Sequence, residues 1–253
     1  MLDLLIITGA SRGIGASIVD KCSTICKTMV VIASSDKVES INSNNCNIIP
    51  LRLNLTDYNN VYYSVSNIVN NCIDNINSIG IVLCGAQLGE YGGLLDSDLN
   101  ECDNLYKCNV LGNLAVIKAC RKIIESDIKT RIVFFSGGGA AFPNPDFFGY
   151  SLSKVAVVRA VENLSIELEK KNNNLSIIAL APGAVESDML KKVLAHCEVR
   201  TKTDINEPTN FVYNFLTDKF PSKKLNGKFL HVRDDIELID FANKEIFKLR
   251  RIE

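Results

Sequence analysis

The sequence predicts a doubly wound α/β fold, in which helices cover both faces of a seven-stranded parallel sheet. Short apolar runs alternate with longer stretches of helical periodicity along the chain. A parallel sheet that is covered on both faces has strands that are apolar at nearly every residue, and these runs have that character. With 253 residues, 47% of them hydrophobic, the chain can build one large core. It has no internal repeat and no clear linker, so we expect a single domain over residues 1–253.

Seven apolar runs are the predicted strands. They cover residues 4–8, 29–33, 48–53, 79–84, 131–136, 175–181 and 228–232. The longer stretches between them are the predicted helices. After the fifth strand, for example, Val155, Val158 and Val161 recur at helical spacing.

Charge and composition narrow the classes of function. A formal net charge of -1 provides no general attraction for nucleic acid or for an anionic membrane, so a small-molecule partner is favoured. The first apolar run is too short to span a bilayer and has no basic start, which is not typical of a signal peptide. Nine cysteines without a Cys-x-x-Cys pair, beside only two histidines, indicate reduced thiols and no metal site. We therefore expect a cytoplasmic protein.

Tyr150 and Lys154 are candidate catalytic residues, because a spacing of four places them on one face of a helix. A tyrosine hydroxyl ordinarily has a pKa of about 10, and a nearby cation favours the phenolate. We therefore expect Lys154 to lower the pKa of Tyr150, so that the pair can exchange a proton near neutral pH. The spacing alone also fits a solvated helix surface, since tyrosines and lysines are common in this chain.

A glycine-rich turn over residues 9–15 joins the first predicted strand to the first helix. A dinucleotide site needs a tight turn, a backbone that comes close to the pyrophosphate, and free N–H groups at the helix N-terminus. Side chains would obstruct each of these. Such a pattern is often only a turn, but its place after a first strand favours cofactor binding.

The glycine spacing Gly-x-x-x-Gly-x-Gly, taken with Tyr150-x-x-x-Lys154, resembles the classical type of the short-chain dehydrogenase/reductase family. The resemblance covers nearly the whole chain. It includes Asn109, which looks like the active-site asparagine of the family, and residues 182–189, which look like its nicotinamide-side loop. It implies a Rossmann-like fold, a nicotinamide cofactor, and assembly as a homodimer or homotetramer.

The expected cofactor site draws on five segments of the chain. Its residues are Gly9, Ser11, Arg12, Gly13, Ile14, Gly15, Ser34, Asn54, Leu55, Tyr150, Lys154, Pro182, Gly183, Val185 and Ser187. Most of them are implied by the family resemblance. Asn54 stands where the family has an adenine-contacting aspartate, and its amide can still bond to the edge of the base.

The end of the second predicted strand favours NADP over NAD. An acidic residue there would bind the ribose hydroxyls of NAD, but the strand is followed by Ser34 and Ser35. Without that carboxylate a 2′-phosphate meets no repulsion, and Arg12 can pair with it. Asp36 is close enough in sequence to reverse the preference, so NAD is the alternative cofactor.

The resemblance also implies a division of roles in hydride transfer. Reduction of a carbonyl leaves an alkoxide, which needs a proton donor and a second hydrogen bond. Tyr150 would donate the proton, Lys154 would also hold the nicotinamide ribose, and Asn109 would anchor a water in a proton path. The second donor in the family is a serine just past the fifth strand. Ser136 is the candidate, although it lies fourteen residues before Tyr150 and the usual position falls on Gly137.

Other parts of the site depart from the family pattern or leave alternatives open. After the fourth strand, residues 83–86 replace the Asn-Asn-Ala-Gly of the family, so other groups must make the hydrogen bonds of that region. Phe142, Phe147 and Phe148 either wall the substrate pocket or pack in the core. His196 and His231 are expected to be surface or packed side chains rather than ligands. Residues 189–207 would form the substrate lid by resemblance.

Two classes of function follow. The first is an NADP-dependent oxidoreductase that transfers a hydride between the nicotinamide and a carbonyl or secondary alcohol of a small molecule. The second is a regulator or scaffold that senses the nucleotide and turns over little substrate. The shifted serine and the lost asparagines motivate the second, and the intact Tyr150 and Lys154 favour the first.

Overall fold

The computed structural model describes residues 1–72, 76–199 and 201–236. Its strands are β1 (Leu2–Thr8), β2 (Cys26–Ala33), β3 (Asn47–Arg52), β4 (Ser78–Leu83), β5 (Lys129–Phe135), β6 (Leu175–Ala181), β7 (Ala184–Val185), β8 (Lys202–Thr203) and β9 (Phe229–His231). Seven of these match the predicted strands to within a few residues at each end. The two-residue strands β7 and β8 were not predicted, and they pair only with each other.

The helices alternate with the strands along the chain, as predicted. They are α1 (Gly13–Cys22), α2 (Tyr58–Cys72), α3 (Leu99–Tyr106), α4 (Gly112–Ala119), α5 (Arg121–Ile124), α6 (Gly138–Ala141), α7 (Phe148–Glu169), α8 (Asp188–Leu194), α9 (Asn206–Leu216) and α10 (Ser222–Leu225). A π-helical turn, Lys107–Leu111, joins α3 to α4. Short 3-10 turns follow α1 and β2.

The main sheet is parallel and has the strand order β3-β2-β1-β4-β5-β6-β9. From β1 the chain moves outward to β2 and β3, and it then returns to place β4 on the other side of β1. The loops that leave the carboxyl ends of β1 and β4 therefore diverge and open a crevice, which is where doubly wound sheets bind ligands. The glycine turn follows β1 at this point.

The core has one layer on each face of the sheet, because successive strand residues point to opposite sides. In β1, Leu4 and Ile6 pack with α2, α4 and α7 on one face. Leu5 and Ile7 pack with α1 and α9 on the other. These two covered faces explain why the strands are almost entirely apolar, and they confirm the predicted doubly wound fold.

The extent of the predicted domain is only partly covered by the structure. Its last residues, 237–253, lie outside the described ranges, so a single domain over residues 1–253 stays a prediction. Among the described helices, none combines the length and the apolar character that crossing a membrane requires.

Candidate active site

The glycine turn after β1 has a backbone that other residues would not tolerate. Gly9 and Gly13 have φ angles of +67° and +54°, in the left-handed region. A Cβ on Gly9 would lie 2.9 Å from backbone atoms of Gly85, and a Cβ on Gly15 would overlap the carbonyl oxygen of Gly9. The turn is packed backbone against backbone, so it offers the close approach that a pyrophosphate needs.

Helix α1 begins at this turn without a side-chain cap. Its N-cap residue is Arg12, whose side chain accepts no hydrogen bond from the first turn, so no capping group occupies the N–H groups there. N–H groups in this position bind phosphate, and the helix dipole favours an anion. The turn therefore fits the dinucleotide that the sequence predicts. Ser11 belongs to the same turn, and Ile14, one residue into α1, lines the large cavity described below.

The end of β2 carries hydroxyls at the position that decides between NAD and NADP. Ser34 is exposed, and the hydroxyl of Ser35 donates to the carboxylate of Asp36 at 3.2 Å. The guanidinium of Arg12 is exposed and lies 3.7 Å from the carboxylate of Asp188 at the start of α8. An exposed ion pair at this distance contributes little stability, so Arg12 can exchange it for another anion.

The predicted adenine side begins just after β3. The side-chain oxygen of Asn54 accepts a hydrogen bond from the N–H of Thr56 at 3.1 Å, which leaves its amide nitrogen as a donor. Leu55 is buried, and a Cβ on Gly112 would overlap its carbonyl oxygen. Leu55 thus packs against α4 beneath the site, and its contact with a cofactor stays a prediction.

Thr8 and Asn113 supply the hydrogen bonds that the altered segment after β4 cannot make. The hydroxyl of Thr8 accepts the N–H of Gly85 at 3.0 Å and donates to the side-chain oxygen of Asn113 at 2.7 Å. The amide nitrogen of Asn113 donates to the carbonyls of Gly85 at 2.9 Å and Asn109 at 3.1 Å. Sequence reasoning missed Asn113. Its position four residues after Asn109, on the same helix face, was the available signal.

Asn109 lies in the π-helical turn and connects three parts of the site. Its amide nitrogen donates to the hydroxyl of Ser153 and to the carbonyl of Gln87, both at 2.9 Å. Its side-chain oxygen accepts the N–H of Gln87 at 2.7 Å. Ser153 in turn donates to the carbonyl of Tyr150 at 2.7 Å, so Asn109 is linked to the helix that carries the predicted proton donor. A π-turn at such a place is common in functional sites. The predicted water-anchoring role of Asn109 stays a prediction.

Tyr150 and Lys154 lie on one face of α7, as predicted, but the pKa of the tyrosine is raised rather than lowered. Burial raises the pKa of Tyr150 to about 12 and lowers the pKa of Lys154 to about 8. The amino group of Lys154 donates to the carbonyl of Phe135 at 3.0 Å and lies 5.2 Å from the centroid of the Tyr150 ring. The expected direction for Tyr150 was wrong because desolvation dominates in this arrangement.

Ser136 does not face Tyr150 in this structure. Its side chain is 3% exposed, and its hydroxyl donates to the carbonyl of Lys154 at 3.1 Å. The next residue, Gly137, is the one that faces the tyrosine, since a Cβ built there would lie 3.4 Å from the Tyr150 hydroxyl. The structure therefore brings Tyr150, Lys154 and Gly137 together, and the expected role of Ser136 as the second donor to the substrate is not supported by its geometry.

The loop after β6 folds over the start of the glycine turn. Gly183 has a φ angle of +73°, and β7, which includes Val185, follows directly. The hydroxyl of Ser187 donates to the carbonyl of Val185 at 3.1 Å and accepts the N–H of Leu190 at 3.3 Å, which caps α8. A Cβ on Gly13 would lie 3.9 Å from Ser187. The predicted nicotinamide-side loop and the glycine turn are thus neighbours.

These elements surround a cavity of about 760 Å³ at the carboxyl edge of the sheet. Tyr150, Ser136 and Gly137 line it together with residues of the 182–187 loop and of α8. Phe142 lies on its wall, whereas Phe147 is buried. His231, at the end of β9, also lines this cavity. The expectation that it is a surface or packed side chain rather than a ligand stays a prediction. No spacing along the chain pointed to His231, because β9 is brought to this cavity only by the strand order of the sheet.

Nucleophilic cysteine chemistry is not favoured at this site. Cys84 follows β4 directly, and burial raises the pKa of its thiol above the ordinary value. Burial raises the pKa of Cys108, on the π-helical turn, to about 11. Both thiols therefore stay protonated at neutral pH.

The family model described as short chain dehydrogenase matches residues 3–198. Among curated proteins, versicolorin reductase stcU of Emericella nidulans is 29% identical over 196 residues, which cover 74% of this chain and 71% of that protein. Versicolorin reductase 1 of Dothistroma septosporum is 26% identical, with the same coverage. The 3-oxoacyl-[acyl-carrier-protein] reductase FabG of Rickettsia typhi is 25% identical and covers 74% of this chain and 75% of that protein.

Solved structures share the fold at low sequence identity. A short chain dehydrogenase from Salmonella enterica serovar Typhi superposes with a TM-score of 0.77 at 16% identity, covering 92% of this chain and 97% of that one. ElxO with NADP bound gives 0.75 at 19% identity, with coverage of 92% and 97%. NAD+-bound xylitol dehydrogenase gives 0.76 at 18% identity, with coverage of 90% and 96%. With the match of the family model to residues 3–198, these observations establish that the chain belongs to the short chain dehydrogenase family and is a nicotinamide-dependent oxidoreductase.

Proposed function

We propose that the protein is an NADP-dependent oxidoreductase that interconverts a carbonyl and a secondary alcohol on a small molecule. The observation that carries this proposal is the position of the Tyr150 hydroxyl. Tyr150 lines a mostly apolar cavity together with residues of the 182–187 loop. Its hydroxyl lies 3.4 Å from a Cβ built on Gly137, and the amino group of Lys154 lies 5.2 Å from its ring centroid.

The residues of the chain divide the work of proton transfer. A bound nicotinamide supplies the hydride. Because burial raises the pKa of Tyr150 to about 12, the phenol is protonated at neutral pH, which is the form that a proton donor needs in the reductive direction. Lys154, with a pKa of about 8, is mostly protonated at neutral pH and favours the phenolate that proton transfer leaves behind. The carbonyl of Phe135 holds the lysine in place.

The preference for NADP rests on charge at the end of β2. Ser34 offers no carboxylate to repel a 2′-phosphate, and Arg12 is exposed at the start of α1 with only a long contact to Asp188. The carboxylate of Asp36 is engaged by the hydroxyl of Ser35. ElxO was solved with NADP and xylitol dehydrogenase with NAD+, so similar folds accept either cofactor. The local charge of this chain favours NADP.

The function is tested with the purified protein, NADPH and a panel of ketones and aldehydes. At least one carbonyl should be reduced by the native protein. Tyr150→Phe should keep its affinity for NADPH, measured by fluorescence titration, and lose turnover by roughly a hundredfold or more, since the proton donor is removed. Full turnover by this variant would exclude Tyr150 as the donor.

A second candidate is a regulator that binds NADP with little turnover. The observation that favours it is Gly137, which stands beside Tyr150 where the family pattern has a serine. This candidate predicts tight NADPH binding without reduction of any carbonyl in a broad panel. One efficiently reduced substrate decides against it.

The proposal also covers the location, the assembly and the domain extent of the enzyme. It includes a cytoplasmic location, assembly as a homodimer or homotetramer, and one domain over residues 1–253. Light scattering of the purified protein measures the assembly directly. A monomer at micromolar concentration would contradict that part of the proposal.

A further inference from the structure

Two neighbouring residues just past β5, Ser136 and Gly137, both lie against helix α7. The N–H of Ser136 bonds to the carbonyl of Leu180 at 2.9 Å, so the ladder with β6 continues through this residue. Since the Ser136 hydroxyl is committed to the carbonyl of Lys154, the side chain that points toward Tyr150 belongs to Gly137, which has none.

The absence of a side chain at Gly137 leaves open space beside Tyr150, and the backbone there is not strained. Gly137 has a φ angle of -178°, an extended conformation that any residue can adopt. Among the described residues, the atoms within 4 Å of a Cβ built there are the hydroxyl of Tyr150 at 3.4 Å and its Cε1 at 4.0 Å. A Cβ on the next residue, Gly138, would meet none of the described residues within 4 Å. A side chain would therefore fit at residue 137, and glycine is not required there by the fold.

This space adjoins the place where the reaction occurs. An oxygen that receives the proton of Tyr150 must lie within hydrogen-bond distance of its hydroxyl, and therefore next to Gly137. The carbonyl carbon of the substrate is bonded to this oxygen and therefore also lies close to Gly137. Any group attached to that carbon must occupy the space around it, and the walls nearby are largely apolar, with Leu88, Met189, Leu190 and Val193 among them.

We propose that Gly137 is the specificity-determining residue of this site, and that it admits ketones with a bulky apolar group bonded directly to the carbonyl carbon. The proposal rests on the proposed function, because it assigns a substrate class to the same site. A side chain at residue 137 would occupy the space of that group. A serine there would also offer the second hydrogen bond to the reacting oxygen.

The kinetic test compares Gly137→Ala with Gly137→Ser on two ketones, an aryl alkyl ketone and a small methyl ketone. Both variants should lower kcat/KM for the aryl ketone by roughly tenfold or more, because the added atoms fill its space. On the small ketone, Gly137→Ala should lower kcat/KM several-fold less than on the aryl ketone, so the ratio of kcat/KM between the two ketones should change. Gly137→Ser should raise kcat on the small ketone by about tenfold, since a second donor to the oxyanion accelerates such steps.

Ser136→Ala provides the matched control. It removes a hydroxyl one residue away that is bonded to the carbonyl of Lys154, so the ratio of kcat/KM between the two ketones should not change, even if overall turnover falls through the loss of that contact. If both Gly137 variants keep the native ratio, Gly137 does not determine specificity. A ratio that changes only in Ser136→Ala would overturn the proposal as well.

A binding measurement separates this proposal from the proposed function. The aryl ketone is titrated calorimetrically into the native protein with NADP+, a combination in which no hydride can be transferred. Gly137→Ala should weaken this binding about tenfold and leave the affinity for NADP+ unchanged. Unchanged ketone binding in Gly137→Ala contradicts the specificity proposal. Weakened binding without turnover of any carbonyl by NADPH contradicts the proposed function instead.

Discussion

The cofactor side and the substrate side of the cavity differ in how their polar groups are held. On the cofactor side, Thr8, Asn113 and Asn109 form a continuous network of hydrogen bonds that ties β1, the segment after β4 and α4 together. On the substrate side, Gly137 leaves open space next to Tyr150. The difference teaches that backbone contacts and buried amides fix the proposed nucleotide site of this chain, whereas its proposed substrate site is free to vary at a single residue.

The largest expected effect is the loss of NADPH binding when one methyl group is added to the glycine turn. In Gly15→Ala the new Cβ would overlap the Gly9 carbonyl, so we expect NADPH affinity to fall by roughly a hundredfold, and the free energy of unfolding to fall as well. Gly13→Ala is the matched control, because its Cβ has room and only the positive φ is strained. That control should lose about 1–2 kcal/mol of stability. Equal effects of the two variants on NADPH binding would contradict the steric argument.

The buried network is tested by a double-mutant cycle between Thr8 and Asn113. Asn113→Leu leaves the Thr8 hydroxyl and the Gly85 carbonyl without their partner, so the free energy of unfolding should fall by about 3 kcal/mol. Thr8→Val should cost about 1–2 kcal/mol, and the two changes together less than their sum by at least about 0.5 kcal/mol. Urea unfolding gives these values. The exposed change Asn60→Ala is the control and should stay within about 0.5 kcal/mol. Strict additivity would show that the network is not coupled.

On the substrate side, the pH dependence of carbonyl reduction tests the roles assigned to Lys154 and Tyr150. Lys154 loses its proton as the pH rises through about 8, while Tyr150 keeps its proton up to about 12. The cation that favours the phenolate is therefore present below pH 8 and lost above it. We expect kcat/KM, which reports on the free enzyme, to be level below pH about 7 and to fall by up to about tenfold for each unit above 8. Lys154→Met should be slow at every pH and show no such fall. A native profile that stays level to pH about 10 would contradict the assignment.

The smallest expected effect concerns the choice of cofactor. Arg12→Gln should weaken NADPH binding by about fivefold, because Arg12 is exposed and its ion pairs are screened by water. Binding of NADH should not change. Arg121→Gln, at another exposed arginine, is the control for a general loss of charge. Equal weakening of NADPH and NADH would remove Arg12 from the recognition of the 2′-phosphate.

The sequence was a good guide where a pattern reflects the backbone. Both covered faces of the sheet require strands that are apolar throughout, which is why all seven could be placed. Gly9 and Gly13 have positive φ angles, and they lie in the turn that the glycine-rich pattern predicted. The pair β7 and β8 was not predicted, since two residues carry no periodicity.

Other features depend on burial and direction, which a sequence does not display. The pKa of Tyr150 moves upward because the phenol is desolvated by burial, and only the folded arrangement sets how deeply it is buried. In the sequence, Asn113 looks like an ordinary helix residue. Its role appears only in the fold, where β1 and the segment after β4 pack against it. For Ser136, the sequence did not show that its hydroxyl bonds to the carbonyl of Lys154, which leaves Gly137 beside the Tyr150 hydroxyl.

The number of residues in the π-helical turn between α3 and α4 determines how the side chains of α4 are directed toward the site. A turn of this kind holds one residue more than an α-helical turn. If one residue of Lys107–Leu111 were deleted, the helix could close as a regular α-helix, and α4 would be rotated by about 100° relative to α3. Asn113 would then point away from Gly85, although no residue that touches a cofactor had changed. The angle between the two asparagines is set by a count of residues, so a single deletion there should be as damaging as the loss of either side chain.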